Sequence, residues 1–163
     1  MTLRVTTLQP VTNPAVSSAH PCWTQMAKHV SEWHPCTWPQ QGLQQTKVLV
    51  VETKVGEPEA PWWTPVGYIW LSPVAAYDKG TIIELHLCAK PGWEGSWLTP
   101  RVLRQSLKAM QETGARYVIA LHPDPKYRDL LKRLGWVTCG DFVNVLDLEN
   151  HNGILKRNLR RGR

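Results

Sequence analysis

The chain has 163 residues, a length that predicts one domain with a sizeable buried core. It contains no run of 18 apolar residues, and its first residues lead into no apolar signal-peptide core. We therefore expect a soluble protein that is made in a cytoplasm and has no membrane partner. The 19 Lys and Arg residues exceed the 13 Asp and Glu residues and give a net charge of +6, which favours acidic partners, nucleic acid among them.

Hydrophobic periodicity along the chain predicts both strands and helices. Apolar runs rich in β-branched residues predict seven strands, at residues 3–8, 47–53, 66–72, 81–89, 116–122, 136–137 and 142–148. Apolar spacing and terminal signals predict helices at residues 23–33, 99–113 and 126–134. The order β, α, βββ, α, β, α, ββ predicts a mixed sheet covered by helices. The strand at 116–122 is predicted to be buried on both faces.

The stretch from 81 to 113 organises the rest of the chain. A buried strand ends before Pro91-Gly92, and a small polar turn contains Gly95. A helix then starts at Thr99-Pro100, because Thr can cap a helix and Pro suits its first position. The free N–H groups at the start of such a helix point back at the turn. The arrangement therefore predicts a candidate anion site.

The strand at 81–89 carries three titratable side chains on one predicted face, namely Glu84, His86 and Cys88. A buried Glu beside a His can acquire a pKa suited to proton transfer, which makes Glu84 and His86 candidate catalytic residues. The alternative is an ordinary polar face of a sheet. Cys88 is either a nucleophile activated by His86 or a small buried apolar group.

The cysteines are predicted to be reduced thiols, in keeping with a cytoplasmic protein; they are Cys22, Cys36, Cys88 and Cys139. His-Pro-Cys occurs twice, so a zinc set can be drawn from Cys22, His29, His34 and Cys36. Its spacing lacks the paired C-x-x-C knuckle of a structural zinc site. We therefore predict no metal, and a Trp-rich helical segment with packed thiols.

The C-terminal residues form a basic tail. We place the boundary between a single domain at 1–150 and the tail at 151–163. Its cations are Lys156, Arg157, Arg160, Arg161 and Arg163. They can contact an acidic partner or the phosphates of a nucleic acid, or they can simply be solvated. No helix-turn-helix, zinc finger or aromatic RNA platform accompanies them in the sequence.

The segment from Leu85 to Gly140 resembles the acyl-CoA-binding half of the GNAT-type N-acetyltransferases. The matching features are Pro91, Gly95, the helix from Thr99, Gly114-Ala115-Arg116 and Leu134-Gly135-Trp136. The resemblance implies an α/β fold with a GNAT-like mixed sheet of six to seven strands flanked by helices. It also implies an acetyl-CoA-dependent N-acyltransferase with Glu84 as general base beside His86. The implied cofactor-binding residues are Glu94, Gly95, Ser96, Trp97, Leu98 and Thr99.

The sequence from Gly95 to Thr99, Gly-x-Trp-Leu-Thr, is similar to small GNAT-like proteins encoded by bacteriophages. Some of these look like virion components. The resemblance therefore implies a location in the cytoplasm of a bacterial host or in a virion, with other virion or host proteins as partners. A non-catalytic structural or interaction protein on the same scaffold is the alternative to an enzyme.

Several residues depart from the family pattern. Glu94 is negative where the pyrophosphate loop of the family carries a positive or amide side chain, and Trp97 is large where the family has a small residue. Leu131 stands where the family has a tyrosine that acts as general acid. Pro123-Asp124-Pro125 replaces an asparagine of the family. We expect the Trp97 ring to obstruct the cofactor groove, and catalysis to be weak or lost.

Overall fold

A computed structural model describes residues 2–8, 21–33, 47–77, 80–121, 129, 131–141 and 143–150. The strands are β1 (Leu3–Leu8), β2 (Lys47–Val55), β3 (Trp62–Tyr77), β4 (Gly80–Ala89), β5 (Tyr117–Leu121), β6 (Val137–Cys139) and β7 (Val143–Asp147). The helices are α1 (Pro21–Trp33) and α2 (Pro100–Gln111). Residues 129 and 131–133 are also helical and lie inside the helix predicted at 126–134.

The strands form one seven-stranded mixed sheet in the order β1-β2-β3-β4-β5-β7-β6. β1 is antiparallel to β2, and β2 is antiparallel to β3. β4 and β5 are parallel, as the intervening helix α2 requires, and β7 is antiparallel to both β5 and β6. The predicted mixed α/β sheet is confirmed.

The chain divides into two compact units, the first made of residues 1–72 and 87–106 and the second of residues 73–86 and 107–163. In the first unit, the apolar stripe of α1 packs on one face of the sheet. The cluster there consists of buried side chains from α1 and three strands: Met26, Val30, Val48, Val50, Tyr68, Trp70 and Cys88, with Trp33 packed against it. This core accounts for the three- and four-residue spacing seen in the sequence of α1.

Gly67 and Trp97 are in direct packing contact in the first unit. The Trp97 side chain is buried, and its indole ring lies directly on the backbone of β3 at Gly67. A Cβ atom added to Gly67 would lie 2.7 Å from the Cζ3 atom of that ring. Glycine is therefore required at this position of β3, because any side chain would overlap the indole.

In the second unit, β5, β7 and β6 bury only one face. On that face Val118, Ala120, Asn144 and Leu146 are all buried. Leu121, whose side chain belongs to the other face, is 56% exposed. The prediction that this strand is buried on both faces is therefore wrong.

Asn144 is a buried polar side chain in this unit, and it is satisfied by hydrogen bonds. Its Nδ2 donates to the Ala120 carbonyl oxygen, and its Oδ1 accepts from the Thr138 hydroxyl. The amide thus ties β7 to both of its neighbouring strands.

Over the part of the chain that the structure describes, no helix is long and apolar enough to cross a membrane.

We expect Gly67→Ala to lower the free energy of unfolding by about 1–3 kcal/mol, because the new methyl group overlaps a buried indole that cannot move into solvent. Gly95→Ala is the matched control, since a Cβ there meets no atom within 4 Å. Urea denaturation of both variants checks the prediction. Equal losses in the two variants would show that the Trp97 contact does not constrain β3.

Candidate functional site

Glu84 and His86 lie two residues apart on β4 and contact each other. His86 Nε2 lies 3.5 Å from Glu84 Oε2, and both side chains are partly exposed. The alternation of the strand brings them together, because residues i and i+2 project from the same face. The predicted catalytic pair is thus a carboxylate and an imidazole in contact, within reach of solvent.

Burial lowers the pKa of His86 below its ordinary value, and the nearby Glu84 carboxylate opposes that shift. A histidine whose pKa lies below 6.5 is neutral at pH 7. His86 can therefore accept a proton at neutral pH instead of repelling a cationic group. Together with the Glu84 carboxylate, it provides two proton acceptors on one strand.

The parallel ladder between β4 and β5 ends at this pair. Its three register positions are Ile82 with Tyr117, Ile83 with Val118, and Glu84 with Ile119. β5 continues to Leu121 and β4 continues beyond Glu84, yet the ladder does not extend past this position. The two strands therefore separate beginning at Glu84.

Cys88 is 2% exposed and belongs to the apolar cluster beneath α1. This position agrees with the interpretation of Cys88 as a small buried apolar group. Cys88 and Cys139 are both free thiols, the first buried and the second exposed. The side chains of Cys22 and Cys36 lie outside the described residues.

The loop between β4 and α2 contains the predicted cofactor-binding residues 94–99, and it uses three of their six N–H groups in its own hydrogen-bonded turns. The N–H groups of Ser96 and Trp97 donate to the Trp93 carbonyl at 3.0 and 3.3 Å, and the Thr99 N–H donates to the Trp97 carbonyl at 2.9 Å. Within the described part of the chain, no hydrogen bond involves the N–H groups of Glu94, Gly95 and Leu98. These three groups are therefore the ones that can face an anion.

The expectation that the Trp97 ring obstructs the cofactor groove is wrong. The ring lies on the sheet at Gly67, where the missing Cβ makes room for it. The space beside Gly95 is open, and the φ of Gly95 is outside the left-handed region. Glu94 remains an exposed carboxylate in the same loop.

Two arginines that the sequence analysis did not single out lie in the first turns of α2. Thr99 caps the helix, with its hydroxyl oxygen 3.4 Å from the Val102 nitrogen. Arg101 and Arg104 follow and are both exposed, and Arg104 Nε donates to the Pro100 carbonyl. Cations at the start of a 12-residue helix add to the favourable field for an anion there. Their position in the first turns of a helix predicted to start at Thr99-Pro100 was the signal that could have found them.

His29 and Tyr68 form a second polar contact that the sequence did not reveal. His29 Nδ1 lies 2.7 Å from the Tyr68 hydroxyl, and the imidazole stacks on Trp33 with ring centroids 4.7 Å apart. Burial is the main cause of a lowered His29 pKa, so that the neutral ring can accept the tyrosine proton. His29 is thus engaged by an aromatic cluster, and Tyr68 is nearly inaccessible.

The described residues contain no group of three or more His, Cys, Asp or Glu side chains close enough to hold a metal ion. Of the zinc set drawn from the sequence, only the His29 side chain is described; the Cys22 side chain and the residues His34 and Cys36 lie outside the described part of the chain. The five cations of the tail at 151–163 lie outside them as well.

No protein-family model matches the chain. No curated protein matches it either. Solved structures do match, and they are structures of GNAT-type acetyltransferases, so the chain has a GNAT-like α/β fold.

Three of these structures illustrate the similarity. A chain of the NatC complex bound to Gag peptide and CoA has 12% identity and a TM-score of 0.63, over 90% of this chain and 99% of that chain. A GNAT family acetyltransferase from Brucella melitensis in complex with acetyl-CoA has 17% identity and a TM-score of 0.52, over 92% and 90%. A chain of the KacTA–DNA complex has 13% identity and a TM-score of 0.53, over 98% and 99%. At these identities the similarity establishes the fold alone.

We expect Glu84→Gln to lower the pKa of His86 further, because the substitution removes the carboxylate that opposes the effect of burial. Titration of the imidazole resonances by NMR measures this shift. The resonances of His29, whose charged neighbours are Glu32, Lys28 and Lys90, serve as the internal control and should titrate as in the wild type. An unchanged or raised His86 pKa would mean that the two side chains do not interact in solution.

Proposed function

We propose that this protein is an acetyl-CoA-dependent N-acyltransferase with weak cofactor binding and slow catalysis. The observation that carries the proposal is the contact between Glu84 and His86 at the position where β4 and β5 separate. A proton acceptor there lies on the strand that also leads into the anion-binding loop. The GNAT-like fold supports the proposal without establishing the activity.

The loop fits the phosphate groups of the cofactor, although with few donors. Its free donors are the N–H groups of Glu94, Gly95 and Leu98, and the exposed Arg101 and Arg104 supply positive charge. The open space at Gly95 allows close approach to the backbone. Glu94 opposes binding by repulsion. We therefore assign Gly95, Leu98, Arg101 and Arg104 as the groups that would hold the pyrophosphate, with affinity below that of a loop whose N–H groups are all free.

Acetyl-CoA, when bound, would supply a thioester: the amine nitrogen forms an amide bond to its carbonyl carbon, the C–S bond breaks, and the CoA thiolate leaves and takes a proton from solvent. Before attack, the amine must lose a proton, and the Glu84 carboxylate is placed to accept it, directly or through one water molecule. His86, neutral at pH 7, contacts Glu84 and holds it in position. Leu131 is buried and apolar and cannot donate a proton, which is one reason for slow catalysis.

The second candidate is a non-catalytic binding protein on the same scaffold. It is favoured by the loop hydrogen bonds of Ser96, Trp97 and Thr99, which remove three of the six predicted cradle N–H groups. The resemblance to phage-encoded proteins then points to virion or host proteins as partners. The cations of the tail would serve an acidic partner or a nucleic acid; the KacTA neighbour was solved in complex with DNA.

Calorimetric titration with acetyl-CoA separates the two candidates. For the enzyme we expect saturable binding in the high-micromolar to low-millimolar range, weakened about tenfold, or 1.4 kcal/mol, by Gly95→Val. Glu94→Gln should tighten binding, since it removes only the repulsive charge. Acyl transfer to a panel of primary amines should fall about 10²-fold or more in Glu84→Gln.

If neither the wild type nor Glu94→Gln binds acetyl-CoA at millimolar concentration, the acyltransferase is rejected and the non-catalytic binding protein remains as the candidate. If acetyl-CoA binds but acyl transfer does not depend on Glu84, the cofactor site is supported and the assignment of Glu84 as the base is rejected. His86→Gln distinguishes positioning from proton transfer: a positioning role predicts a lower rate with a conserved acetyl-CoA affinity.

A further inference from the structure

β1 is an edge strand, and its outer side is free to accept a further strand. In the sheet order β1 neighbours β2 alone, and no strand among the residues that the structure describes pairs with its other side. The side chains of Arg4, Thr6 and Thr7 are exposed, in keeping with an uncovered edge. An edge of this kind presents a row of unpaired N–H and C=O groups, which favours pairing with another chain.

A hydrogen bond at the start of β1 shows which of its backbone groups face outward. The Lys54 N–H donates to the Thr2 carbonyl oxygen at 3.4 Å, so these two residues are a hydrogen-bonded pair of the antiparallel ladder. Hydrogen-bonded and non-hydrogen-bonded pairs alternate along such a ladder. The outward residues are therefore Leu3, Val5 and Thr7, and each directs its N–H and C=O groups away from β2.

β1 lacks the features that protect most edge strands. It has six residues, no proline and an unbroken register with β2, whereas β6 at the other edge of the sheet has only three residues. Its one charged residue, Arg4, is bound to the neighbouring strands: Nε donates to Glu52 Oε2 at 2.6 Å, and the guanidinium carbon lies 4.4 Å from the centroid of the Trp63 ring. Short strands, prolines, bulges and free charges prevent edge-to-edge pairing, and their absence here permits it.

We propose that β1 pairs with β1 of a second copy of this chain, in an antiparallel arrangement that joins the two sheets. Val5 of one copy would face Val5 of the other on a two-fold axis, and Leu3 of each copy would face Thr7 of the other. This register uses all the outward N–H and C=O groups of both strands, three of each kind in each copy, and so forms about six hydrogen bonds.

The side chains of β1 are compatible with this register. The half-buried Val5 of each copy would lie beside its equivalent, which removes apolar surface from water. Arg4 would face the uncharged Thr6 of the second copy. The two Arg4 side chains would meet only on a diagonal, and each is neutralised by its own Glu52. The strand therefore complements itself without opposing like charges, as a two-fold interface requires.

The small size of the contact sets its expected strength. One pair of six-residue strands buries less than the about 800 Å² on each partner of a standard interface, so we expect a reversible dimer with a dissociation constant on the order of 100 µM. An unrelated extended peptide could form the same hydrogen bonds. A second copy is favoured because its strand is already ordered, so that pairing costs little conformational entropy.

Sedimentation velocity of the full-length protein, from well below to well above the expected dissociation constant, tests the dimer. Thr7→Pro removes one outward N–H group and leaves the hydrogen bonds between β1 and β2 in place, so it should weaken the dimer about tenfold or more. Thr7→Val is the matched control. It keeps the N–H group and a β-branched side chain, and it should dimerise like the wild type.

A cross-link tests the register without any proline. In the proposed dimer the two Val5 Cα atoms lie about 5.5 Å apart, whereas the two Thr7 Cα atoms are four strand positions apart, about 14 Å. A short bismaleimide should therefore link two Val5→Cys chains much faster than two Thr7→Cys chains. Peptide mass spectrometry identifies the linked residues, and the wild type gives the baseline of the native cysteines.

A monomer at every concentration would overturn the proposal. So would a dimer that Thr7→Pro leaves intact, or one in which Thr7→Cys cross-links as fast as Val5→Cys, because another surface or register would then hold it. The proposal does not rest on the proposed function. No acyl donor is present in these experiments, so their failure is distinct from failure of the proposed acyl transfer.

Discussion

The contact between Trp97 and Gly67 sets the conformation of the loop that the rest of the site depends on. An indole seated on the backbone of a central strand is a large buried surface, and burial of an aromatic side chain contributes several kcal/mol of stability. With its ring held by β3, the loop closes its own turns through the N–H groups of Ser96, Trp97 and Thr99. Core packing therefore determines how many donors remain for an anion.

The sequence predicted the elements well where periodicity was clear and missed what depends on contacts between distant residues. β3 begins at Trp62, four residues before the predicted start, and so contains Pro65; it ends at Tyr77, five residues after the predicted end. Pro65 pairs with Glu52 next to a register shift in the ladder, a place where a proline is tolerated inside a sheet. β5 was misjudged for another reason: a short apolar run does not show whether both faces are covered, since coverage depends on what packs there.

The candidate site also has some contacts that the sequence could predict and others that it could not. The contact of Glu84 with His86 follows from the two-residue period of a strand and was predictable. The position of Trp97 depended on a glycine 30 residues earlier in the chain, and the partner of His29 is a tyrosine 39 residues away. Neither contact can be recognised from the sequence around the residues that make it. The arginines of α2 were within reach of sequence reasoning, but charges on an exposed helix usually indicate a solvated face.

Stability and cofactor binding make opposing demands on the loop between β4 and α2. A loop that leaves all its N–H groups free for phosphate is satisfied only when the ligand is bound, and unpaired donors are unfavourable in its absence. Here the turn bonds satisfy three of the six N–H groups of residues 94–99 without any ligand, and the buried indole anchors the loop, so fewer donors remain for phosphate. The charges of the α2 arginines and the dipole at the helix start act at longer range than hydrogen bonds. They can therefore still attract an anion that the loop itself binds only weakly. The two candidate functions therefore differ in whether an anion occupies the free N–H groups of Glu94, Gly95 and Leu98.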